Sequence, residues 1–300
     1  MDSTAPAHTP DSPSKKRVFF TRLVSTVLLW SLMAAAFVAG QDWVFVTLAA
    51  GFGIAGGAEY FRLMRADGGA REFRALGLVV CAAYWAASSW WVLVRHAPQP
   101  MWMDVAAVAV VVQGAFLLTL RRPLEGPLSL QRIFGSVTGV VYTAVLFGFA
   151  LRIMYFKHGH QPPGGVFLML YLVVVTKFCD AGAYAFGVLF GRHKMIPHIS
   201  PAKSWEGLVG AFVGGIVTAA LMLACFSDRL HPLGWMSGLL VAPALCSVGV
   251  VGDLAESVLK RCFIIKDSGH ALPGIGGVLD LTDSLIFTAP VFYLCLVALS

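Results

Sequence analysis

The sequence predicts an all-α integral membrane protein with about nine transmembrane helices. Hydrophobic residues make up 58% of the 300 residues and charged residues only 13%, whereas soluble domains contain about 45 to 50% apolar and about 25% charged residues. The apolar residues form runs close to the ~20 residues that an α-helix needs to cross a bilayer. Lysine and arginine are unevenly distributed between the segments that separate these runs, as in multi-pass proteins.

The predicted spans follow one another with short connections. Residues 1–19, rich in Ser, Thr, Pro and His, are expected to form a disordered tail. The first apolar run follows basic residues as in a signal peptide, but it is long for one and lacks a small-x-small cleavage site. We expect an N-terminal region of five helices (20–165) and a C-terminal catalytic region of four (166–300), with spans at approximately 20–40, 43–61, 75–94, 104–120, 134–151, 166–190, 207–226, 235–251 and 284–299.

The positive charges predict the orientation. Of the 22 Lys and Arg residues, 17 fall in segments predicted to lie on the same side of the membrane as the N-terminus. Four fall in segments on the other side, and Lys177 lies within a span. By the positive-inside rule, the N-terminus and the most charged loops are expected to be cytoplasmic, in the inner cell membrane. Nucleic acid is not an expected partner despite the net charge of +6, because no basic stripe with interleaved aromatic residues is found.

A strongly charged stretch lies between the last two predicted spans. Its first part carries Asp253, Glu256 and Lys260 at i, i+3 and i+7, so a helix would present them on one face. Its last part carries Asp280 and Asp283, whose like charges destabilise a helix unless a cation lies between them. Mg²⁺ is commonly held by one or two carboxylates with substrate phosphates, and lysine and arginine bind phosphate. The stretch therefore predicts a metal and phosphate site.

A second polar region begins in the sixth predicted span. Lys177 and Asp180 lie within that span, where an ionisable residue costs about 2.5 to 3.5 kcal/mol on insertion scales and is a functional candidate. Their spacing of three residues leaves a second interpretation open, in which they only neutralise each other. The following loop is expected to be cytoplasmic and adds Lys203, a further phosphate partner.

The charged stretch resembles the signature of the phosphatidate cytidylyltransferases, or CDP-diacylglycerol synthases. The matching residues are Ser257, Leu259, Lys260, Arg261, Lys266, Asp267, Gly269, Leu272, Pro273, Gly276, Gly277, Val278, Asp280, Thr282 and Asp283. Two positions depart from the signature, because Ile275 stands in place of a histidine and Leu281 in place of an arginine. The resemblance extends to Glu59, Asp180, Tyr184, Ser200, Lys203, Ser204, Trp205 and Glu206.

The resemblance implies an enzyme that uses Mg²⁺ to make CDP-diacylglycerol and pyrophosphate from CTP and phosphatidic acid. We expect Asp253, Asp280 and Asp283 to bind Mg²⁺, and the number of acids leaves room for a second cation. The predicted catalytic residues are Asp253, Lys260, Arg261, Lys266, Asp267, Asp280 and Asp283. The predicted substrate-binding residues are Asp180, Tyr184, Ser200, Lys203, Ser204, Trp205, Glu206, Ser257, Gly274, Gly276 and Gly277, the glycines because they let backbone approach phosphate.

The departure at Ile275 is not expected to abolish activity. Phosphatidic acid is already an anion, so its attack on CTP needs no general base. The other expected partners are the lipid bilayer and a second copy of the chain in a homodimer.

Two other functions remain open. A CTP-dependent polyprenol or phytol kinase would use the same nucleotide but transfer the γ-phosphoryl group. A membrane transporter would account for Lys177 and Asp180, but it predicts broken helices and paired repeats, which the sequence does not show.

The six cysteines are scattered without C-x-x-C spacing. We expect them to be reduced packing residues rather than zinc ligands or disulfide partners.

Overall fold

The computed structural model describes residues 41–64, 71–156, 165–263 and 276–300, together with helical positions at 24, 27–28, 31–32 and 34–36. Within this part of the chain, eight helices are long and apolar enough to cross a membrane. They are α1 (Asp42–Leu63), α2 (Arg71–Arg95), α3 (Trp102–Leu120), α4 (Pro127–Met154), α5 (Gly165–Phe190), α6 (Trp205–Phe226), α7 (Trp235–Cys262) and α8 (Val278–Leu299). The all-α membrane fold is confirmed. The helices correspond to the second to ninth predicted spans, and the first span, 20–40, lies mostly outside the described residues.

The charged stretch is more helical than its sequence suggests. The span predicted to end at 251 continues as α7 to Cys262, and the span predicted to begin at 284 begins as α8 at Val278. Hydropathy misplaces these ends because it assigns charged residues to loops, whereas here they pair with one another between the two helices. Asp253 and Asp283 therefore lie on regular helices and not on a loop.

A short β-hairpin connects α5 to α6. Strand β1 (Lys194–Ile196) pairs with β2 (Ser200–Ser204) in antiparallel register, with Lys194 opposite Ser204. The sequence predicts a loop here, because strands of three and five residues are too short to show a period. The hairpin lies where α5 and α7 end and α6 and α8 begin.

Helix α4 contains a π-helical segment, Val141–Leu146. Such segments are rare, and they occur frequently at functional sites. The indole of Trp85 on α2 donates a hydrogen bond to the backbone carbonyl of Thr143 in this segment (3.4 Å).

Arg152 forms a buried polar cluster near the opposite end of the bundle. Its guanidinium lies 2.7 Å from a carboxylate oxygen of Asp104 and donates to the backbone carbonyl of Gln99 (3.0 Å), and Tyr84 donates to the same carboxylate (2.8 Å). Removing one partner of a buried pair costs about 3 to 5 kcal/mol. The cluster therefore fixes α2, α3 and α4 together, although the charge distribution alone places Arg152 among the four basic residues on the side opposite the N-terminus.

Helices α5 and α6 pack with their backbones in close approach. A Cβ placed on Gly182 would meet the backbone oxygen of Gly210, and a Cβ on Gly214 would meet the carbonyl of Phe178 at 2.5 Å. Small residues at such positions are typical of membrane helix pairs. This pair carries the hairpin at its end.

The expectation of reduced cysteines is wrong for one pair. Cys179 on α5 and Cys246 on α7 form a disulfide with their Cα atoms 5.7 Å apart, which is a normal spacing. The sequence shows only a separation of 67 residues and cannot show that the two helices face each other. Among the described residues, Cys81, Cys225, Cys262 and Cys295 are free.

Candidate active site

The candidate site begins where α7 and α8 approach most closely. A Cβ on Gly252 would meet the backbone oxygen of Asp283 at 2.7 Å and the Cα of Ser284 at 3.1 Å. Only glycine allows this spacing without displacing one helix. The contact places the next turn of α7, with Asp253 and Glu256, beside the first turns of α8.

Three carboxylates from these helices form a compact group, which we name the acidic cluster: Asp253, Glu256 and Asp283. One oxygen from each lies within 4.8 Å of the others. At that separation and an effective dielectric of about 20, each pair of charges repels by roughly 3 kcal/mol. Glu256 and Asp283 are buried, and among the described residues Glu256 Oε1 has no hydrogen-bond partner. The cluster therefore has the geometry and the unsatisfied oxygen of a cation site.

Asp280 lies next to the acidic cluster but has other partners. One of its oxygens is 2.8 Å from Lys260 Nζ, and the other accepts a hydrogen bond from the backbone N–H of Gly277 at the start of α8 (2.7 Å). Gly276 has a φ of 125°, which only glycine adopts readily. Asp280 therefore caps its own helix and pairs with Lys260. The third member of the acidic cluster is Glu256, whereas the metal site predicted from the sequence contains Asp280 in its place.

Two lysines lie at the edges of the acidic cluster. Lys260 Nζ bridges Glu256 and Asp280 at 2.8 Å from each. Lys203, on β2, lies 2.9 Å from Asp253 and donates to the backbone carbonyl of Val250 (3.1 Å). The hairpin and α7 thus present cations to different carboxylates of the same site, from two sides.

The hairpin itself is held by two predicted substrate-binding residues. Ser204 caps α6 by accepting a hydrogen bond from Gly207 N–H (3.1 Å). Glu206 accepts from the backbone N–H groups of Arg192 and His193 (3.2 Å each) and lies 2.6 Å from His193 Nδ1. These contacts give Ser204 and Glu206 a structural role in placing Lys203.

The remaining predicted residues are distributed around this centre. Arg261 donates to the backbone carbonyl of Ile199 in the hairpin turn (3.3 Å). Tyr184 and Trp205 are exposed, by 75% and 55%, so their side chains face outward. The half-buried Ser200 and Ser257 lie on β2 and α7. Lys266, Asp267, Gly274 and the substituted position Ile275 lie outside the described residues.

Helix α5 contributes Lys177 and Asp180, and Asp180 is connected to the acidic cluster through Ser284. Ser284 Oγ lies 3.4 Å from the carboxylate of Asp180 and 3.2 Å from that of Asp283. Lys177 Nζ donates to the backbone carbonyl of Leu281 (2.9 Å) and lies 3.6 Å from Asp180. The two residues therefore do pair, as one interpretation of the sequence expects, but both also contact α8. No sequence pattern singles out Ser284, which connects the two groups.

Glu59 fixes the start of α8 from a fourth helix. It is buried on α1, and its carboxylate accepts a hydrogen bond from the backbone N–H of Leu279 (2.9 Å). A carboxylate at a helix N-terminus satisfies a free backbone donor and interacts favourably with the helix dipole. The resemblance marks Glu59, and its contact explains how a residue far away in the chain supports the site.

The charges in this region leave a negative excess. The contacts above join five carboxylates and three ammonium groups: Asp180, Asp253, Glu256, Asp280 and Asp283 with Lys177, Lys203 and Lys260. If all are ionised, three positive against five negative charges give a formal charge of −2. One divalent cation would neutralise that excess, and carboxylate oxygens are ligands that suit Mg²⁺.

Comparison with known sequences identifies the family. The sequence profile of the cytidylyltransferase family matches residues 20–299. The chain belongs to the cytidylyltransferase family. The matched region contains the acidic cluster, both flanking lysines and the hairpin.

Several curated proteins are similar to this cytidylyltransferase-family chain. The phosphatidate cytidylyltransferase of Haemophilus influenzae is 36% identical over 164 residues, which cover 54% of this chain and 56% of that protein. That of Bacillus subtilis is 33% identical over 199 residues, covering 66% and 69%. The uncharacterised protein YnbB of Escherichia coli is 36% identical over 191 residues, covering 59% and 62%. The chain thus spans less than two thirds of the length of the first and third of these relatives.

Leu281 stands where the family signature has arginine, and both its backbone and its side chain have defined surroundings. Its backbone carbonyl binds Lys177, and its side chain lines an apolar cavity between α5 and α8. A cation is therefore present beside the position where the signature has arginine, but it comes from α5.

Proposed function

We propose that this chain is a phosphatidate cytidylyltransferase, which transfers CMP from CTP to phosphatidic acid and releases pyrophosphate. The observation that carries the proposal is the acidic cluster with a lysine on each side, at one end of a membrane-spanning bundle. A carboxylate group alone would suit many cations. With Lys203 and Lys260 at its edges, it suits a cation that is bound together with phosphates.

In the proposed reaction, an oxygen of the phosphatidic acid phosphate attacks the α-phosphorus of CTP. The new P–O bond forms as the bond between the α-phosphorus and the β-phosphate oxygen breaks, and pyrophosphate leaves. The nucleophile is already ionised, so the protein contributes positioning and charge stabilisation. This requirement is consistent with the lysines and carboxylates of the site, and with a sequence in which Ile275 replaces the signature histidine.

The residues present fit a Mg²⁺ ion. Asp253, Glu256 and Asp283 would hold it, because their oxygens converge and one oxygen of Glu256 lacks a partner among the described residues. Bound Mg²⁺ would neutralise charge on the phosphate oxygens of the substrate. Two alternatives can be tested beside this ligand set. One is the set predicted from the sequence, which contains Asp280, and the other is a site that binds a second cation.

The lysines would exchange partners when substrate binds. Lys203 and Lys260 now neutralise Asp253, Glu256 and Asp280. With Asp253 and Glu256 committed to a cation, Lys203 and Lys260 would be free to turn towards the triphosphate or the lipid phosphate. We also propose that this end of the bundle faces the cytoplasm, where CTP is present, and that the lipid enters sideways from the bilayer.

Product analysis tests the proposal. Purified protein in detergent, given CTP, phosphatidic acid and Mg²⁺, should form CDP-diacylglycerol and pyrophosphate in equal amounts. In a parallel reaction with a polyprenol or phytol added, a kinase would instead release CDP, form the lipid phosphate and leave phosphatidic acid unchanged, and a transporter would form no product in either reaction.

A matched pair of variants locates the activity. Asp283→Asn removes one charge from the acidic cluster and should reduce turnover by at least about a hundredfold, as expected when charge stabilisation of the transition state is lost. Asp228→Asn makes the same change at an exposed position after α6 and should leave turnover unchanged. Equal turnover in both variants would remove the acidic cluster from the reaction.

A further inference from the structure

An apolar cavity of about 450 Å³ lies between α1, α4, α5 and α8. This volume lies within the range of about 300 to 1,000 Å³ of small-molecule pockets. Its walls include Phe45, Ala49, Phe147, Met154, Met169 and Leu285. Among its described lining residues, Lys177 is the one charged side chain, and the hydroxyl of Thr282 is already bonded to the backbone of its own helix. The cavity therefore suits a molecule that is apolar along its length and anionic at one end.

The charged end of the cavity adjoins the acidic cluster. Lys177 lies 3.6 Å from Asp180, and Ser284 Oγ contacts both Asp180 and Asp283. A single chain of contacts therefore leads from the cavity to a cluster carboxylate. An anionic group held at Lys177 would lie beside the proposed site of phosphate chemistry.

The apolar end of the cavity extends away from the hairpin. Met169 precedes Lys177 by eight residues on α5, which is about 12 Å along a helix. On α1, Ala49 precedes Glu59 by ten residues, about 15 Å from the level where Glu59 contacts α8. A chain entering at Lys177 would thus run along the helices towards the opposite face of the bundle, as the tail of a membrane lipid does.

One side of the cavity faces the bilayer. Phe178 is 47% exposed and the neighbouring Ala181 is also exposed, whereas the opposite wall, with Phe147, Ala150 and Leu151, is buried. A lipid tail could therefore enter from the side without leaving an apolar environment. A nucleotide base and ribose would find no hydrogen-bond partners on such walls and would lose those they have in water.

We propose that this cavity binds one acyl chain of the lipid phosphate substrate, with the Lys177 ammonium at the phosphate end, and that its depth sets the preferred chain length. The proposal rests on the proposed function and deepens it. It assigns the lipid to the space between α1, α4, α5 and α8, and leaves the hairpin side of the acidic cluster to the nucleotide.

A cavity-filling variant tests this assignment. Ala49→Phe would occupy the deep end of the cavity, and Ile54→Phe places the same side chain at an exposed position of α1 that is not part of the cavity wall. With dioleoyl phosphatidic acid in mixed micelles, kcat/KM of Ala49→Phe should fall about tenfold, because displacing two methylene groups from an apolar wall corresponds to roughly that factor. With dihexanoyl phosphatidic acid, whose chains are too short to reach Ala49, it should stay within about twofold of the wild type. Ile54→Phe should match the wild type with both lipids.

The outcomes separate the two proposals. A wild type that forms no CDP-lipid from either substrate overturns the proposed function, whereas an active wild type with equal losses for both lipids in Ala49→Phe overturns the cavity assignment alone. Normal turnover of the short lipid also shows that the variant is folded. If Ala49→Phe does not fold, Ala49→Leu makes a smaller change and should give the same selectivity in weaker form.

Lys177→Met tests the charged end. It should raise KM for phosphatidic acid about tenfold and leave KM for CTP unchanged, with Lys177→Arg restoring most of the affinity. A rise confined to KM for CTP, or a uniform loss that Lys177→Arg does not restore, would remove Lys177 from the lipid site.

Discussion

Glu256 and Asp280 both form ion pairs with Lys260, but their other contacts differ. Both lie 2.8 Å from Lys260 Nζ, but Glu256 is buried and belongs to the acidic cluster, whereas Asp280 accepts a hydrogen bond from the backbone N–H of Gly277, the residue before α8. Metal binding and helix capping can therefore be separated by mutation.

Glu256→Gln should raise the Mg²⁺ concentration for half-maximal activity by at least about tenfold. The amide keeps the shape of the side chain but removes a charged ligand, and even changes to groups behind the ligands typically cost about 10-fold to 100-fold in metal affinity. Mg²⁺ should also raise the thermal unfolding temperature of the wild type and not that of the variant, which measures metal binding without turnover.

Asp280→Asn should also lose turnover, because Lys260 loses one of its two partners and α8 loses its charged cap. Its unfolding temperature should still rise with Mg²⁺ as in the wild type. If the Mg²⁺ effect is lost in Asp280→Asn and kept in Glu256→Gln, the ligand set predicted from the sequence, with Asp280, is the correct one.

Lys203→Met should raise KM for CTP by about tenfold or more, since the variant loses a charge-assisted bond to phosphate. Lys194→Met removes an exposed lysine from the partner strand of the same hairpin and should leave KM unchanged. Similar effects of both variants would indicate that the hairpin contributes only its general positive charge.

At the scale of elements, the site depends on how closely α7 and α8 can approach. Gly252→Ala adds a Cβ that would meet the Asp283 backbone oxygen at 2.7 Å. Overpacking of this kind costs about 1 to 3 kcal/mol, and separating the helices would also spread the acidic cluster. We expect lower thermal stability and a weaker Mg²⁺ response.

Gly51→Ala is the matched control on α1, where a Cβ would meet nothing within 4 Å. It should be neutral or stabilising by up to about 1 kcal/mol, because alanine is the better helix former. Equal losses of stability in the two variants would indicate that the approach of α7 and α8 is not the sensitive feature.

Periodicity predicted part of this site and could not predict the rest. The stripe of Asp253, Glu256 and Lys260 follows from helical spacing, which is a property of one segment. The pairing of Glu256 with Asp283 depends on the packing of two helices at Gly252. The sequence marks Asp280 and Asp283 equally, and only the fold shows that one caps α8 while the other faces α7.

At the scale of the whole molecule, composition was the more informative part of the sequence. Runs of apolar residues predicted the membrane fold and eight spans that the described residues contain. Hydropathy could not show the hairpin, the Cys179–Cys246 disulfide or the buried Arg152, because each depends on contacts between segments that are distant in the chain.

The orientation of the bundle stays a prediction from the positive-inside rule, and it can be tested with single cysteines. In a background with the exposed residues Cys225 and Cys262 changed to serine, His198→Cys in the hairpin and Leu124→Cys before α4 should react with a membrane-impermeant maleimide only from the cytoplasmic side. Met101→Cys, before α3, should react only from the other side. The reverse pattern would place the candidate site away from the cytoplasmic pool of CTP.

The π-helical segment of α4 acts as a spacer that sets the rotation of everything after it. Its wide turn holds one residue more than an α-helical turn, so forcing all six residues of Val141–Leu146 into an ordinary α-helix would turn the following face by about 100°. Phe147 and Met154 would then leave the cavity, and Arg152 would turn away from Asp104. The extra residue of this short segment thus couples the far-side ion pair to the shape of the cavity. An in-frame deletion of one codon within Val141–Leu146 should therefore keep both faces in place, whereas the same deletion within Phe147–Met154 should turn the end of α4 and lower both stability and turnover.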